Sequence, residues 1–432
     1  MLLITSKVSS DVMPTPGHTG RTWSVPYYVR GLALGIPIYL AAIHLWTWVL
    51  YVPDSLGKGG LDFRQSYSAA YMLRTGHGSE LYDYDAQKRF QDQLVSIQPI
   101  PLLFVEPAYE ALLFEPFSLF SFRAGYFLFV AVNVALLCGC FVLLAPWLMN
   151  LRIVYWWLPG VMLVGFLPVA VALIQGQDSI LLTAALVGAF VLLSKGREFL
   201  AGLVLGLAIF KFQIVLPIVF LFLIWQHWKF LCGCATSGIL GLGMGAWATG
   251  WPTAKFYVFL VLSLAGLRPS MSKFDSYPVL WTWMACIHGT VFTLFNSRAS
   301  HRVLILVSIS LSAIVLIWTA WRGSRIPDRS TKLLLAIVCS TLVGHHVNTC
   351  DDSVWLLPVF VMLSASLPWE QFGRSRARIA ALVSALMFVV PVGISWFPSH
   401  FSLTVVVVLA FLAVIGYLRP GQDFRSGPVL VG

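Results

Sequence analysis

Runs of about 20 apolar residues, each long enough to cross the hydrocarbon core of a bilayer as a helix, recur along most of the chain. Short polar segments separate these runs. The pattern predicts an all-α polytopic membrane protein, with spans at residues 31–52, 125–147, 153–174, 178–194, 230–249, 303–321, 333–347, 354–368, 379–397 and 401–418.

The segment from Leu200 to Trp225 does not fit a simple crossing. It is long enough to cross once, yet the loops on both sides of it, 194–198 and the loop around Lys229, are basic and typical of the cytoplasmic side. Lys211 also interrupts its apolar run midway. We therefore predict a re-entrant pair of short helices at 200–225 with Lys211 near its tip, and about ten to twelve membrane helices in all.

Composition and charge agree with this topology. The chain is 58% hydrophobic and 11% charged, with a net charge of +10. Its basic residues fall mainly in short loops between apolar runs, a distribution that orients membrane proteins and predicts no nucleic-acid partner. We expect a cytoplasmic N-terminal tail at 1–25, one transmembrane domain at 26–420 and a cytoplasmic tail at 421–432. The first apolar run follows Arg30 without a clear cleavage site, so it is expected to stay as an anchor.

Chemistry is expected on the extracytoplasmic side, where two long loops fall, at 53–122 and 251–302. A Gln-Gly-Gln-Asp turn at 175–178 and a polar stretch at 345–352 fall on the same side. We predict that these segments converge on one membrane face and form a single site, with Lys211 reaching up from below. An ionisable residue within a membrane segment is by default a candidate for function.

Familiar metal and soluble-enzyme motifs do not occur in the sequence. It has no phosphate-binding glycine-rich loop, no HExxH helix and no GxSxG elbow, and its two Cys-x-Cys pairs lack metal or redox spacing. His345 and His346, near Asp351 and Asp352, are interpreted as the polar cap of a helix pair or as substrate contacts. We expect no metal ion and no cofactor besides a lipid-linked sugar donor.

Four short motifs follow one another in order: Asp62-Phe-Arg-Gln-Ser-Tyr, Leu81-Tyr82-Asp83, Gly176-Gln177-Asp178-Ser179, and Ala201-Gly202-Leu203 leading to Lys211. In order and topological placement they resemble glycosyltransferase family 87, over residues of about 30 to 368. Where that family usually has Tyr-Pro-Pro this chain has Val105-Glu106-Pro107, and where it has Lys-Pro this chain has Lys211-Phe212.

The resemblance implies a multi-span enzyme with the GT-C-type fold that takes mannose or a related hexose from a polyprenyl phosphate. The acceptor would be a glycolipid or glycan of the cell envelope, reached from the extracytoplasmic face. The natural setting is a bacterial inner (plasma) membrane, with the N-terminus cytoplasmic and membrane lipids around the spans.

The resemblance also implies that Asp62 is the catalytic base. Sugar transfer from a lipid phosphate needs a base for the acceptor hydroxyl, whereas the phosphate leaves as a stable anion and needs no protonated acid. Direct displacement would invert the anomeric centre. Lys211 is our first candidate for binding the donor phosphate, followed by Arg64. The remaining candidates for substrate contact are Tyr82, Gln177, His345 and His346.

Simpler structural roles are open for the same residues. Asp62 lies three residues before Gln65 and could cap a helix. Asp83 could start the following helix, Lys211 could snorkel to an interface, and Gln177 could satisfy the backbone of a tight turn.

Other classes of protein also fit many membrane spans. A transporter or flippase of lipid-linked sugars would show matching broken segments in the two halves of the chain, and we find no convincing pair. A polymer ligase would favour a large loop late in the chain with essential Arg and His residues. A noncatalytic assembly factor is left open by the sequence.

Overall fold

The computed structural model describes residues 27–264, 281–367, 374–395 and 402–417. Every regular element in these ranges is a helix, which confirms the all-α fold class. The predicted tails at 1–25 and 421–432, and the middle of the second extracytoplasmic loop at 265–280, lie outside the described residues.

The α-helices of the described ranges are, in chain order, α1 (Tyr27–Lys58), α2 (Phe63–Arg74), α3 (Tyr84–Leu94), α4 (Ala108–Phe114), α5 (Phe122–Leu144), α6 (Met149–Val154), α7 (Leu158–Gly165), α8 (Leu167–Gln175), α9 (Ser179–Ser194), α10 (Glu198–Gly206), α11 (Phe212–Ile224), α12 (Trp228–Thr249), α13 (Trp251–Leu264), α14 (Ile287–Phe295), α15 (His301–Ser324), α16 (Arg329–Val343), α17 (Leu356–Ser366), α18 (Arg374–Ser395) and α19 (Val405–Tyr417).

Long apolar helices form the membrane part. Within the described ranges five helices are long and apolar enough to cross a bilayer, namely α1, α5, α12, α15 and α18. Two further pairs, α7 with α8 and α10 with α11, are bent by 59° and 74°, so the number of spans rises to 7 if each pair counts as one. The prediction of a multi-pass membrane protein is confirmed by length and composition.

The break predicted near Lys211 is present. Helices α10 and α11 are joined by the 3₁₀ turn Ile209–Lys211, which carries the lysine at the bend. Helix α10 is held in place by a very close crossing with α12. A Cβ atom on Gly202 would lie 1.9 Å from the Phe230 carbonyl oxygen, so only glycine allows the two backbones to approach this closely.

A second break was not predicted. Residues 153–174 were expected to form one span, but the helix ends at Gly165 and restarts at Leu167. Phe166 has an extended backbone, with φ −84° and ψ 108°. Pro168, in the first turn of α8, has no N–H group and so cannot donate the hydrogen bond that would continue α7. The Phe166 ring is buried and stacks on Phe388 at 5.8 Å between centroids. This break directs α8 towards the first long loop, at 53–122.

The first loop folds into helices α2 to α4 over an aromatic core. The Phe63 ring lies within 5.5–6.1 Å of the rings of Tyr67, Phe114, Phe122, Tyr126 and Phe129. Burying one aromatic side chain of this kind contributes about 1.5–3 kcal/mol. Because Phe63 follows Asp62 directly, this packing also fixes the position of the carboxylate.

The opposite end of α10 and α11 carries a separate ionic cluster. Glu198 accepts from Arg329 at 3.1 Å and lies 3.1 Å from His227 Nδ1, whose other ring nitrogen lies 3.2 Å from Lys332 Nζ. These residues come from loops predicted to be cytoplasmic, and Lys211 lies at the other end of both helices. The bundle therefore has one basic end and one end that carries the candidate site.

Candidate active site

Asp62 lies against the turn between α8 and α9, 115 residues further along the chain. Its Oδ2 atom accepts a 2.5 Å hydrogen bond from Gln177 Nε2, and its backbone N–H donates to Gln175 Oε1 at 3.3 Å. Among the described residues Gln177 is the one hydrogen-bond partner of this carboxylate in the structure. One carboxylate oxygen is therefore held, and the other is available to a substrate.

The turn reaches Asp62 because residue 176 is glycine. Gly176 ends α8 with φ at 64°, in the left-handed region that disfavours side chains. A Cβ atom there would also lie 2.8 Å from Phe63 Cβ, which is too close. Gly176 thus permits both the reversal of the chain and the contact between Gln177 and Asp62.

Lys211 projects from the break between α10 and α11 into a group of carboxylates. Its Nζ atom lies 2.9 Å from Asp178 Oδ1 and 3.5 Å from both Glu106 Oε1 and Asp351 Oδ1. The side chains of Lys211, Asp178 and Asp351 are 6%, 3% and 3% exposed, so water screens these pairs little. We call these four residues the lysine cluster.

The lysine cluster carries more negative than positive charge. Three carboxylates face one ammonium group, and Glu110 is buried near Asp178 with an Oε2 atom that has no hydrogen-bond partner in the described part of the chain. Burial raises the pKa of Glu106 to about 7, although Lys211 opposes the shift. Burial therefore favours the neutral acid at Glu106, against the pull of Lys211.

The polar stretch after α16 completes the cluster. Asp351 accepts from the Ser179 hydroxyl at 2.8 Å and from the Asn348 backbone N–H at 3.1 Å. His346 lies beside it, with Nε2 3.3 Å from Asn348 Nδ2, and burial lowers its pKa to about 4. His345 packs on the His288 ring at 4.1 Å. At neutral pH His346 is therefore an uncharged polar group rather than a cation.

Two predicted site residues lie further out. Arg64 is buried in the first loop, where Nη2 donates to the Ser96 carbonyl at 2.8 Å and to Asp92 Oδ1 at 3.3 Å. Its terminal nitrogens are engaged in holding the loop together. The Tyr82 hydroxyl donates to the Glu106 backbone carbonyl at 2.9 Å. Tyr82 therefore contacts the backbone of the lysine cluster and not its charged groups.

The structure distinguishes between the structural roles that the sequence left open for Asp62, Asp83 and Lys211. Asp62 precedes α2 but makes no side-chain capping hydrogen bond, so the capping interpretation is wrong. Asp83 does start α3, because its Oδ1 accepts from the Ala86 N–H at 2.7 Å. Lys211 is buried and ion-paired rather than snorkelling to an interface.

The sequence reasoning missed the acidic partners of Lys211. In the sequence Glu106 stands out only as a departure from the family pattern, and no motif singles out Glu110. An acidic residue beside a long apolar run is a usable signal, because it must find a partner when the helices pack. Among the described residues, no group of three or more His, Cys, Asp and Glu side chains has the arrangement of a metal site.

A largely apolar groove adjoins the site. It has a volume of about 660 Å³ and lies between α1, α5 and the bent pair α7–α8. Its walls are apolar apart from His44, with Trp48, Val134 and Leu163 among the lining residues. The groove includes Ile174, which directly precedes Gln175, the residue that contacts the backbone of Asp62.

Comparison with protein-family models matches residues 104–344 to glycosyltransferase family 87. The matched segment is more than half of the chain and includes Glu106, Gln177, Asp178 and Lys211. Asp62 lies before it and is joined to it by the hydrogen bond from Gln177. No curated protein and no solved structure matches the chain.

Proposed function

The chain belongs to glycosyltransferase family 87 and is a membrane glycosyltransferase of GT-C type. From this premise we propose that it transfers one hexose, namely mannose, from a polyprenyl-phosphate donor. The acceptor is a glycolipid or glycan of a bacterial envelope. Transfer takes place on the extracytoplasmic face of the inner membrane, and the N-terminus is cytoplasmic.

The observation that carries this proposal is the contact between Asp62 and the family-matched turn. Gln177 fixes one oxygen of the carboxylate and leaves the other free to take the proton of the acceptor hydroxyl. Burial raises the pKa of Asp62 and outweighs the lowering by Gln177 and Lys211. The carboxylate is therefore a stronger base than an exposed aspartate. Direct displacement by the activated hydroxyl inverts the anomeric centre.

The lipid chain of the donor is assigned to the groove between α1, α5 and the bent pair α7–α8. The groove opens to the bilayer and adjoins Gln175, so a chain lying in it brings its phosphate towards Asp62. Apart from His44 the wall is apolar, which suits a hydrocarbon tail better than a sugar.

Lys211 is assigned to the donor phosphate. A phosphate approaching Nζ must replace one of the two longer contacts, to Glu106 or Asp351, because Asp178 holds the ammonium at 2.9 Å. Glu106 is the easier to displace, because burial favours its neutral form and Asp351 is held by two further hydrogen bonds, from Ser179 and Asn348. Gln177, Tyr82, His345 and His346 then contribute polar contacts around the sugar.

A transporter gains no support from the two bent helix pairs. Inverted repeats would place one broken helix in each half of the chain, in corresponding positions. Here the bent pairs, 158–175 and 198–224, are both near the middle and are separated by α9 alone among the described helices.

The proposal is tested by transfer of labelled mannose with purified full-length protein in lipid nanodiscs. Polyprenyl-phosphate mannose, polyprenyl-phosphate glucose and a mannose nucleotide are compared as donors, with a lipid extract of bacterial envelopes as acceptor. We expect transfer from polyprenyl-phosphate mannose alone, with a product of opposite anomeric configuration. Transfer only from the nucleotide, or movement of the intact lipid between leaflets of a liposome without transfer, would refute it.

A further inference from the structure

The backbone carbonyl of Val164 lacks its ordinary helical partner at the bend between α7 and α8. In a continuous helix this oxygen would accept from the N–H group of the residue four positions later. That residue is Pro168, which has no N–H group. A carbonyl without a donor is costly in a membrane segment, where water is absent, so another group must satisfy it.

His44 of α1 supplies the missing donor. Its Nδ1 atom lies 3.2 Å from the Val164 carbonyl oxygen, and the two residues are 120 positions apart in the chain. A carbonyl oxygen can only accept a hydrogen bond, so Nδ1 carries a proton. The His44 side chain is 7% exposed, so little water competes for the carbonyl.

Close packing of α1 and α7 brings His44 to this carbonyl. The buried face of α1 carries Pro37, Leu40, Ala41 and His44 at helical spacing. Helix α7 lies directly on this face, because a Cβ atom on Gly165 would lie 3.0 Å from the Pro37 carbonyl oxygen. The contact of His44 with the last turn of α7 is therefore a built feature of the helix crossing.

The bend determines where the turn beside Asp62 lies. Helix α8 has 9 residues and is therefore about 13 Å long. Straightening the bend of 59° at its start would move its far end by roughly 13 Å. That end carries Gln175 and precedes Gln177, whose hydrogen bond to Asp62 is 2.5 Å long. Only the bent form of α7 and α8 therefore allows this contact.

We propose that His44 is a positioning residue for sugar transfer, which stabilises the bent form of α7 and α8 and so holds Gln177 against Asp62. The inference rests on the proposed transferase function and adds to it a residue that contacts neither Asp62 nor the lysine cluster. His44 also lines the groove assigned to the lipid chain of the donor. One side chain thus supports both the wall of the groove and the turn at the site.

Two substitutions of His44 distinguish this hydrogen bond from simple packing. Asparagine places an N–H donor near the position of Nδ1, whereas glutamine places it near the position of Nε2. With full-length protein in nanodiscs and labelled polyprenyl-phosphate mannose, His44→Asn should transfer about tenfold faster than His44→Gln. In His44→Gln the acid limb of kcat/KM should also move to higher pH, because Gln177 no longer reaches Asp62. Equal rates in the two variants, or an acid limb that does not move, would overturn the proposal.

A double substitution separates positioning from support of the fold. His44→Leu should lower the melting temperature, because it leaves the Val164 carbonyl unpaired. Adding Pro168→Ala supplies an N–H group that reaches this carbonyl from a straight helix, so the melting temperature should recover while transfer does not. Recovery of transfer together with the melting temperature would mean a merely structural role and overturn the proposal. A melting temperature that does not recover would overturn it as well.

One measurement needs no substrate. Nitrogen NMR of the full-length protein labelled at histidine should show a proton on Nδ1 of His44, whose signal is identified by its absence in His44→Asn. An Nδ1 atom without a proton would overturn the proposal. Absence of transfer by wild type would refute the proposed function, and the NMR signal and the melting temperatures would still decide whether His44 holds the bend.

Discussion

Replacing Gln177 by leucine tests whether Asp62 acts as a base that this amide tunes. Leucine keeps the approximate size of the side chain and removes the donor that lies 2.5 Å from Asp62 Oδ2. A hydrogen bond to a charged group stabilises it by about 1.5–3 kcal/mol, and one pKa unit corresponds to about 1.4 kcal/mol. Loss of the bond should therefore destabilise the ionised carboxylate by about 1.5–3 kcal/mol and raise the pKa of Asp62 further.

The sign of the effect follows from which form is active. Ionised Asp62 accepts the proton, so activity falls as the pH drops through its pKa. That pKa is already raised by burial and is held down by Gln177. In Gln177→Leu the acid limb of kcat/KM should therefore move to higher pH. Loss of the contact between Gln177 and the sugar should lower the rate by the same factor at every pH and leave the position of the limb unchanged.

Gln175→Leu provides a matched control on the same turn. Gln175 contacts the backbone N–H of Asp62 and not its carboxylate, so its loss should leave the acid limb where it is. The assay is transfer of labelled mannose over a range of pH at limiting donor. An unmoved limb in Gln177→Leu, or an equal movement in both variants, would refute the reasoning.

Four further substitutions, at Arg64, Lys211, Asp178 and Gly202, test the fold and the contact with the donor. Arg64→Met should lower the free energy of unfolding by about 1–3 kcal/mol, because it leaves buried carbonyl oxygens unpaired. A thermal melt should show this loss of stability at an unchanged donor KM. If Arg64 instead binds the donor phosphate, the donor KM should rise at unchanged stability. Lys211→Met should cost about 3–5 kcal/mol, because it leaves carboxylates buried without a cation. Adding Asp178→Asn should recover part of that stability but not donor affinity, and recovery of both would remove Lys211 from the phosphate site. Gly202→Ala should cost about 1–3 kcal/mol through its clash with the Phe230 carbonyl, seen as a lower melting temperature, and an unchanged melt would contradict the close helix crossing.

The pattern of apolar runs predicted the long membrane helices but overestimated the number of spans. Spans were also expected at α9, α16, α17 and α19, and these helices are shorter than the 18 residues that a crossing needs. The continuous runs form α1, α5, α12 and α15 close to the expected bounds. In lipid every backbone N–H and C=O group needs a hydrogen-bond partner within the segment, and a helix provides one for each. The charge at Lys211 revealed the bend between α10 and α11, because an uncompensated cation cannot remain in a straight lipid-facing helix.

The bend at Phe166 was missed because hydropathy does not detect it. The run from 153 to 174 is apolar throughout, and the only sign is Pro168, which many membrane helices tolerate. Packing of Phe166 on Phe388, more than 200 residues away, selects the broken form. Information of that kind is not local in the sequence.

Individual side chains of the site were harder to assign than its location. The charge of the loops alone predicted that Asp62, Gln177 and Lys211 lie on the same face of the membrane. It did not show that Arg64 is occupied by the Ser96 carbonyl, or that Glu106 lies 3.5 Å from Lys211. Such pairings depend on how α2 to α4 fold over one another, and a loop sequence rich in charges admits many arrangements.

The most direct test of the account is the rate of sugar transfer in a single turnover by Asp62→Asn, measured beside donor binding. Asparagine keeps the size of the side chain and an oxygen that Gln177 can reach, but cannot take a proton. We expect the transfer rate to fall by about 10²–10⁴-fold, while the dissociation constant for polyprenyl-phosphate mannose stays close to that of wild type. A rate equal to wild type, in a variant that binds the donor equally well, would contradict the role of Asp62 as the base.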